Sequence, residues 1–166
     1  MAQLEVLSRS PQETQRLGEK LANYLRRGDI VCLNGELGSG KTTLVKGLAQ
    51  GLQIDPRGVI SPTFVLMNAY KGRLPAAQTH LPVYHFDLYR IENVQEIFFL
   101  DYEEYLYGEG VSVIEWADRL RELMPKEFLG VELLHQKDQS RLIRISSRGP
   151  RYQRLLEQLS YEYSGR

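Results

Sequence analysis

The 166-residue chain has one cysteine, no excess of either charge and no long apolar run. Cys32 therefore has no partner for an internal disulfide, and its position in a short apolar run predicts a buried, reduced thiol. Lysine plus arginine and aspartate plus glutamate number 21 each, so no overall field points to nucleic acid or a membrane surface.

Membrane insertion and secretion are also not indicated by the sequence. No apolar run approaches the roughly 18 residues that a membrane span needs. The first residues lack the basic, apolar and small-residue regions of a signal peptide. We therefore expect a soluble cytoplasmic protein that has no contact with a membrane.

Residues 35–43 stand out from this plain background with the sequence Gly-Glu-Leu-Gly-Ser-Gly-Lys-Thr-Thr. They match the Walker A pattern G-x-x-x-x-G-K-[ST] at Gly35, Gly40, Lys41 and Thr42. Glycines let the backbone approach a phosphate closely, and successive N–H groups of such a loop bind its oxygens. The lysine supplies a cation to the β- and γ-phosphates, and the threonine hydroxyl can bind Mg²⁺. The segment predicts a nucleotide phosphate site.

The flanking residues favour this prediction over an ordinary glycine-rich turn. Residues 30–33 form a short apolar run that fits a buried strand. After the loop, apolar residues recur at helical spacing at Leu44, Val45, Leu48, Ala49 and Leu52. Strand, loop and helix therefore follow one another in the order that phosphate binding at a helix N-terminus requires.

The rest of the chain indicates one compact α/β domain over residues 1–166. Ser10, Pro11 and Glu13 predict the start of a first helix, and Gly28 its end. Apolar runs predict strands near 64–70, 83–89, 111–114, 131–134 and 142–145, with a long connection over 71–82. Helices are predicted over 94–107 with an interruption, over 118–124, and from about residue 151.

Two acidic residues are candidates for completing a magnesium site. Glu115 directly follows the apolar run 111–114, as in a Walker B element, and Asp87 interrupts the apolar run that begins at Val83. A carboxylate in a buried strand is costly unless it is paired or bound to metal. A solvent-facing carboxylate or an ion pair remains the alternative for each residue.

Three further positions have both a functional and a structural interpretation. The hydroxyls of Ser61 and Thr63 could contact the γ-phosphate or orient a water, or they could only stabilise a turn. Trp116 could cover the nucleotide or fill the core. His85 alternates with aromatic neighbours and is expected on the opposite face, packed and hydrogen-bonded, because no second His or Cys is spaced to share a metal with it.

Four segments in this order and spacing resemble the TsaE (YjeE) family. They are the phosphate loop 35–43, Ser-Pro-Thr-Phe at 61–64, His-Phe-Asp-Leu-Tyr-Arg at 85–90 and Ile-Glu-Trp at 114–116. The resemblance covers residues 10 to 120 well and the last third in outline. It implies an Mg²⁺-dependent ATPase, slow in isolation, that is required for threonylcarbamoyladenosine formation in tRNA. The implied partners are TsaD, which performs the transfer, and TsaB, so tRNA would be contacted only indirectly.

The resemblance also assigns site residues and a fold. Lys41, Thr63, Asp87 and Glu115 are the implied catalytic residues, and Thr42, Asp87 and Glu115 the implied metal ligands. The implied nucleotide-binding residues are Glu36, Leu37, Gly38, Ser39, Gly40, Lys41, Thr42, Thr43 and Trp116. The expected fold is α/β, a P-loop NTPase-like three-layer sandwich with a mixed, largely parallel central sheet.

Some features depart from this pattern or keep other functions open. Ala117-Asp118-Arg119 stands where the family commonly has Pro-Glu-Arg. Arg90 is a candidate arginine finger only because it lies near Asp87 in sequence. A small-molecule kinase or a non-catalytic, nucleotide-gated scaffold remains an alternative, whereas a guanine-nucleotide switch lacks its Asn-Lys-x-Asp motif. The arginines at positions 141, 144, 148, 151 and 154 are expected to form a solvated face rather than an RNA contact.

Overall fold

The computed structural model describes residues 3–165, and within them seven strands and five α-helices. The strands are β1 (Gln3–Ser8), β2 (Ile30–Gly35), β3 (Met67–Arg73), β4 (His80–Asp87), β5 (Val111–Glu115), β6 (Phe128–His135) and β7 (Arg141–Arg148). The α-helices are α1 (Pro11–Ala22), α2 (Lys41–Gly51), α3 (Gln95–Phe98), α4 (Tyr102–Leu106) and α5 (Pro150–Ser164). Two 3₁₀ segments span Pro56–Gly58 and Ala117–Leu123. In the described range, no helix has both the length and the apolar character needed to cross a membrane.

All seven strands form one mixed sheet in the order β1-β7-β6-β2-β5-β4-β3. The four central strands β6, β2, β5 and β4 run parallel to one another, whereas the pairs β1–β7, β7–β6 and β4–β3 are antiparallel. The predicted mixed α/β sheet is therefore confirmed, but it is partly rather than largely parallel. The reason is that hairpins extend both sides of a short parallel centre, and antiparallel strands need only a tight turn.

The sheet has an apolar cluster on each face. Consecutive buried residues of β2 alternate between them, with Val31 and Leu33 on one face and Ile30 and Cys32 on the other. Helices α1, α2 and α5 contribute to the first cluster, and α3, α4 and the 3₁₀ segment Ala117–Leu123 to the second. A strand buried on both faces explains the continuous apolar run seen in the sequence. Cys32 is buried and free, as predicted.

Element boundaries differ from the sequence predictions where side chains or distant strands decide the backbone. The sequence did not predict strand β1, because its alternating pattern is short and its partner β7 lies near the other end of the sequence. Helix α1 starts at Pro11 with Ser10 Oγ accepting from Glu13 N at 3.1 Å, as predicted, but it ends at Ala22 rather than near Gly28. Gly28 instead has a φ of 86° and donates its N–H to Gly110 O.

The hairpin β3–β4 also differs from its predicted form. The connection is only residues 74–79, because Lys71 and Pro82 are paired within the strands rather than in a loop. Residues 64–66 are not part of β3, since a turn in which Leu66 N donates to Pro62 O holds them outside the sheet. The hydroxyls of Ser61 and Thr63, which donate to the carboxylate of Asp87, hold the start of this turn against the end of β4.

Helices α1 and α2 cross at a distance that only glycine permits. A Cβ on Gly47 would lie 2.0 Å from Gln15 O, and one on Gly18 would lie 2.4 Å from Leu44 O. Gly51 is similarly close to Glu19 O and to the Ala22 side chain. Because α2 begins directly after the phosphate loop, this crossing fixes the helix that the loop leads into.

We predict that Gly47→Ala destabilises the fold by about 2 kcal/mol, the middle of the range for forcing extra atoms into a packed interior. The new methyl group would push α1 away from α2, and the small gain in helix propensity does not offset that. Urea unfolding measures the change. Gly58→Ala is the control, because a Cβ there has no atom within 4 Å. Equal unfolding midpoints for the two variants would contradict the close-crossing argument.

Candidate functional site

Three parallel strands bring the predicted site residues to one edge of the sheet. Glu115 is the last residue of β5 and pairs in register with Leu33 of β2 and with Asp87, the last residue of β4. The chain leaves β2 at Gly35 and turns directly into the phosphate loop. Ligand sites of open α/β sheets lie at the carboxyl ends of parallel strands, and this edge has that geometry.

The phosphate loop has the left-handed backbone that its glycines permit. Gly38 has a φ of 77° and Gly40 a φ of 103°. Gly40 is the N-cap of α2, and no side chain caps the helix there. The first N–H groups of α2 therefore lack a side-chain partner and lie at the positive end of the helix dipole, where they can bind an anion.

Lys41 is folded back over the loop. Its Nζ donates to Gly35 O at 2.6 Å and to Glu36 O at 2.9 Å, and the residue is only 5% exposed. The ring of Trp116 covers the ammonium at 4.3 Å from the ring centroid. Burial lowers the pKa of Lys41, and the negative charges of Glu115, Asp87 and Asp118 oppose that shift. The lysine is therefore a desolvated cation enclosed by carbonyls, an aromatic face and carboxylates.

Glu115 connects the phosphate loop to the neighbouring strand. Thr42 Oγ1 donates to Glu115 Oε1 at 2.9 Å, and Glu115 Oε2 is 2.6 Å from Nε2 of His85. Glu115 is only 2% exposed, and each of its carboxylate oxygens has a polar side chain as a hydrogen-bond partner. His85 faces away from Tyr84 and Phe86, as the alternation predicts, and it is hydrogen-bonded.

Asp87 holds the segment that precedes β3. Its Oδ2 accepts hydrogen bonds from the hydroxyls of Ser61 and Thr63, the latter at 2.8 Å, and its Oδ1 accepts from Tyr89 N at 3.0 Å. The Ser-Pro-Thr turn is thereby tied to the carboxyl end of β4. Charge-assisted bonds of this kind are stronger than hydrogen bonds between neutral groups.

These residues enclose a cleft of about 350 Å³. Most of the predicted site residues line it, namely Leu37, Gly38, Gly40, Lys41, Thr42, Thr43, Thr63, Asp87, Glu115 and Trp116, together with Ser61 and Tyr89. Glu36 and Ser39 do not line it; the first offers its carbonyl to Lys41, and the second is buried beneath the loop. Arg90 also lies outside the cleft, exposed and stacked 4.3 Å from the ring of Phe64.

Arg141 contacts the phosphate loop, a contact that the sequence analysis did not predict. Its Nε donates to Ser39 O at 3.1 Å and its Nη2 to Gly38 O at 3.3 Å. No local signal could have indicated this, because the partners lie about a hundred positions apart in sequence. Of the other terminal arginines, Arg144 pairs with Glu5 and Glu132, and Arg151 with Asp29. Three of the five arginines that were expected to form a solvated face, Arg141, Arg144 and Arg151, therefore make contacts within the protein.

The turn after Glu115 has Ala117 at the position where the resemblance predicted a proline, and several contacts hold it. Trp116 has a φ of 58°, a left-handed backbone that non-glycine residues seldom adopt. Asp118 donates its N–H to Asn34 Oδ1 at 3.0 Å, which ties the turn to the end of β2. The ring of Tyr89 stacks on Trp116 with centroids 5.0 Å apart. Backbone strain of this kind is often concentrated at functional sites.

Comparison with known proteins identifies the family of the chain. The model of the family "Threonylcarbamoyl adenosine biosynthesis protein TsaE" matches residues 8–143. A tRNA threonylcarbamoyladenosine biosynthesis protein TsaE from Bacillus subtilis is 39% identical over 160 residues, covering 96% of both chains. Another from Treponema pallidum is 38% identical over 86% of this chain and all of the relative.

The fold has a counterpart among solved structures as well. A crystal structure of Bacillus subtilis YdiB superposes with a TM-score of 0.79 at 34% identity, covering 98% of this chain and 97% of that one. A family model that matches most of the chain, together with relatives at this identity, establishes the family. The chain belongs to the TsaE family of tRNA threonylcarbamoyladenosine biosynthesis proteins.

Proposed function

We propose that this protein binds ATP with Mg²⁺ and hydrolyses the γ-phosphoryl group, as a P-loop NTPase-like single domain over residues 1–166. It would act in the cytoplasm with TsaD and TsaB in tRNA modification without performing the transfer itself. The observation that carries the proposal is the cleft in which Lys41 and the start of α2 face two buried carboxylates. Phosphate loop, cation and hard oxygen ligands are the parts that phosphoryl transfer requires.

The donor set fits Mg²⁺. The Thr42 hydroxyl donates a hydrogen bond to Glu115, so the lone pairs of its oxygen remain available to a cation, and Asp87 lies on the adjacent strand. Within residues 3–165 no cluster of three or more His, Cys, Asp or Glu side chains could hold a metal by itself. Mg²⁺ commonly takes one or two carboxylates and completes its shell with phosphate oxygens and water, which agrees with this set. When bound, the ion would neutralise phosphate charge.

The chain's own residues would bind and orient the reacting groups. The N–H groups of Gly38 to Thr43 and the Lys41 ammonium would absorb charge that develops on the phosphoryl oxygens. Asp87 or Thr63 would orient the attacking water, because their side chains meet at the cleft within one hydrogen bond. Trp116 and Tyr89 would shield the reacting phosphate from solvent.

A second cleft supports a nucleotide as the ligand, rather than phosphate alone. It has a volume of about 710 Å³ and shares Gly38, Gly40 and Thr43 with the phosphate cleft. Its other walls come from residues 8–11 and 135–141, which surround the loop on the side away from Asp87. A nucleoside attached to phosphates in the first cleft would extend into this space.

The charge of the cleft supports slow hydrolysis in isolation. Lys41 is the one lysine or arginine that lines it among the residues that the structure describes. Efficient phosphoryl transfer usually requires a further cation, often an arginine supplied by a partner protein, and its absence can lower turnover by about 10³- to 10⁵-fold. Partner-stimulated hydrolysis would account for action with TsaD and TsaB. The internal pairing of Arg144 and Arg151 supports an indirect role for tRNA.

We predict that Lys41→Ala weakens ATP binding by about 10- to 100-fold, because charged hydrogen bonds to phosphate are lost. ATP binding and hydrolysis are measured with the chain alone and with TsaD and TsaB added. Lys46→Ala is the control, since it removes a lysine from the same helix outside the cleft. Native hydrolysis by Lys41→Ala would refute the phosphate site. Binding of ATP without turnover, even with both partners, would favour the nucleotide-gated scaffold. Transfer of the γ-phosphoryl group to a metabolite would favour a kinase.

We predict that Asp87→Asn and Glu115→Gln lower turnover by about 100-fold or more, while ATP binding without Mg²⁺ is retained. The amides keep the size of each side chain but remove the charge that would hold the cation and orient water. Steady-state hydrolysis and ATP titration in EDTA measure the two effects separately. If both variants hydrolyse ATP normally, the assignment of the metal site is wrong.

We predict that Arg141→Ala weakens ATP binding by about tenfold, because the loop carbonyls of Gly38 and Ser39 lose their donors and the loop loses its fixed shape. Arg141→Lys would restore binding only in part, since a lysine ends in one ammonium nitrogen and lacks the two separate, rigidly spaced nitrogens, Nε and Nη2, that reach the two carbonyls. Arg148→Ala, an exposed arginine at the other end of β7, is the control. Equal ATP affinity for Arg141→Ala and Arg148→Ala would exclude a role for Arg141 in the loop.

A further inference from the structure

His85 has a feature that core packing alone does not explain. The residue is completely buried, and its Nδ1 is the single buried side-chain nitrogen or oxygen without a hydrogen-bond partner in residues 3–165. Leaving a buried polar atom unpaired costs free energy. Val83, two residues earlier in β4, and Val113, which pairs with His85 across β5, are apolar and buried on the same face of the sheet. This face therefore accepts an apolar side chain. The imidazole must therefore contribute something that offsets its cost.

The imidazole makes one polar contact, and that contact is with Glu115. Nε2 lies 2.6 Å from Glu115 Oε2, and the other oxygen of the same carboxylate accepts from Thr42 Oγ1 at 2.9 Å. With the ring proton on Nε2, the imidazole donates to the carboxylate and Nδ1 is left as an acceptor facing the core. The nearest aromatic contact is the tilted ring of Tyr70, with centroids 6.3 Å apart.

We propose that His85 is a positioning residue for the Mg²⁺·ATP site, acting through Glu115 on Thr42. By holding Oε2 in place, His85 orients the carboxylate so that Oε1 accepts the hydrogen bond that the Thr42 hydroxyl donates. The threonine oxygen then presents its lone pairs to the cleft. This inference rests on the function proposed above, but it concerns a residue that touches neither nucleotide nor metal.

The two hydrogen bonds of Glu115, one with His85 and one with Thr42, explain why its Oε2 must be held in place. A glutamate side chain can rotate about three bonds, and its terminal carboxylate torsion is the softest of them. With Thr42 as its only partner, Glu115 could swing to bind the cation directly and leave the hydroxyl proton pointing at the metal. The hydrogen bond between His85 Nε2 and Glu115 Oε2 removes that rotational freedom. Partners that orient metal ligands commonly change metal affinity by about 10- to 100-fold when they are removed.

Three substitutions separate positioning from packing. His85→Gln places an amide nitrogen near the location of Nε2, so the bond to Glu115 is kept. His85→Asn places its amide nitrogen near Nδ1, where it cannot reach Glu115, and is the matched control. His85→Leu removes every polar atom. Each protein is tested by calorimetry for ATP affinity at saturating Mg²⁺ and in EDTA, since the ratio of the two reports Mg²⁺ binding at the site, and for thermal unfolding.

We expect His85→Asn and His85→Leu to weaken Mg²⁺ binding by about 10- to 100-fold, while ATP affinity in EDTA stays native. His85→Gln should bind Mg²⁺ almost as the native chain does. Native Mg²⁺ affinity in His85→Asn would overturn the proposal, and so would a parallel loss of metal-free ATP binding, which indicates general damage to the fold. Failure of His85→Gln to bind better than His85→Asn overturns it as well. If His85→Leu does not fold, the comparison of His85→Gln with His85→Asn still tests the proposal.

The same experiment distinguishes this inference from the proposed function. If the native protein binds ATP no more tightly with Mg²⁺ than in EDTA, the metal site of the ATPase proposal fails, and the role of His85 fails with it. If the native protein binds Mg²⁺ and all three variants bind it equally well, only the role of His85 is overturned.

Discussion

Leu33, Glu115 and Asp87 lie side by side across β2, β5 and β4 because these three strands are parallel and paired in this register. A shift of one residue in any strand would turn its side chains to the opposite face. Asp87 or Glu115 would then point into the cluster beneath α3 and α4, away from the phosphate loop. The register also sets the distance from Glu115 to Thr42, since β2 leads through the loop into α2. The candidate site therefore depends on strand pairing more than on any single side chain.

That register creates an electrostatic problem that the fold only partly solves. Asp87, Glu115 and Lys41 are all nearly inaccessible to solvent, and buried charges are costly unless they are compensated. Hydroxyls, an imidazole and backbone groups satisfy the carboxylates, and carbonyls satisfy the ammonium. The charges themselves do not cancel, because two carboxylates face one lysine. Mg²⁺ bound to the phosphates lowers the negative charge that the nucleotide brings into this cleft, which is a physical reason to expect Mg²⁺·ATP rather than free ATP.

The shape of the phosphate loop depends on supports from outside the loop. On one side, the glycine crossing of α1 and α2 fixes the helix that follows it. On the other side, Arg141 of β7 binds the carbonyls of Ser39 and Gly38. Beneath it, Leu133 O would collide with any side chain at Gly35, at 2.6 Å from its Cβ. A loop whose helix has no side-chain cap is therefore held from three sides before any ligand arrives.

The sequence predicted well what is encoded locally. The loop, the strand before it and the helix after it are contiguous, and the strand-end carboxylates follow apolar runs, so residues 30–52, Asp87 and Glu115 could be read in order. The alternation of β4 also predicted the face on which His85 lies. Strand order, β1 and the contact of Arg141 with the loop depend on partners far away in the chain, for which a single sequence has no periodic signal. Residues 64–66 were predicted as the start of a strand from the apolar run of Phe64 and Val65, but they continue the turn whose Ser61 and Thr63 hydroxyls bind Asp87. The errors therefore concentrate where one side chain binds the backbone or carboxylate of a distant element, and those same contacts shape the site.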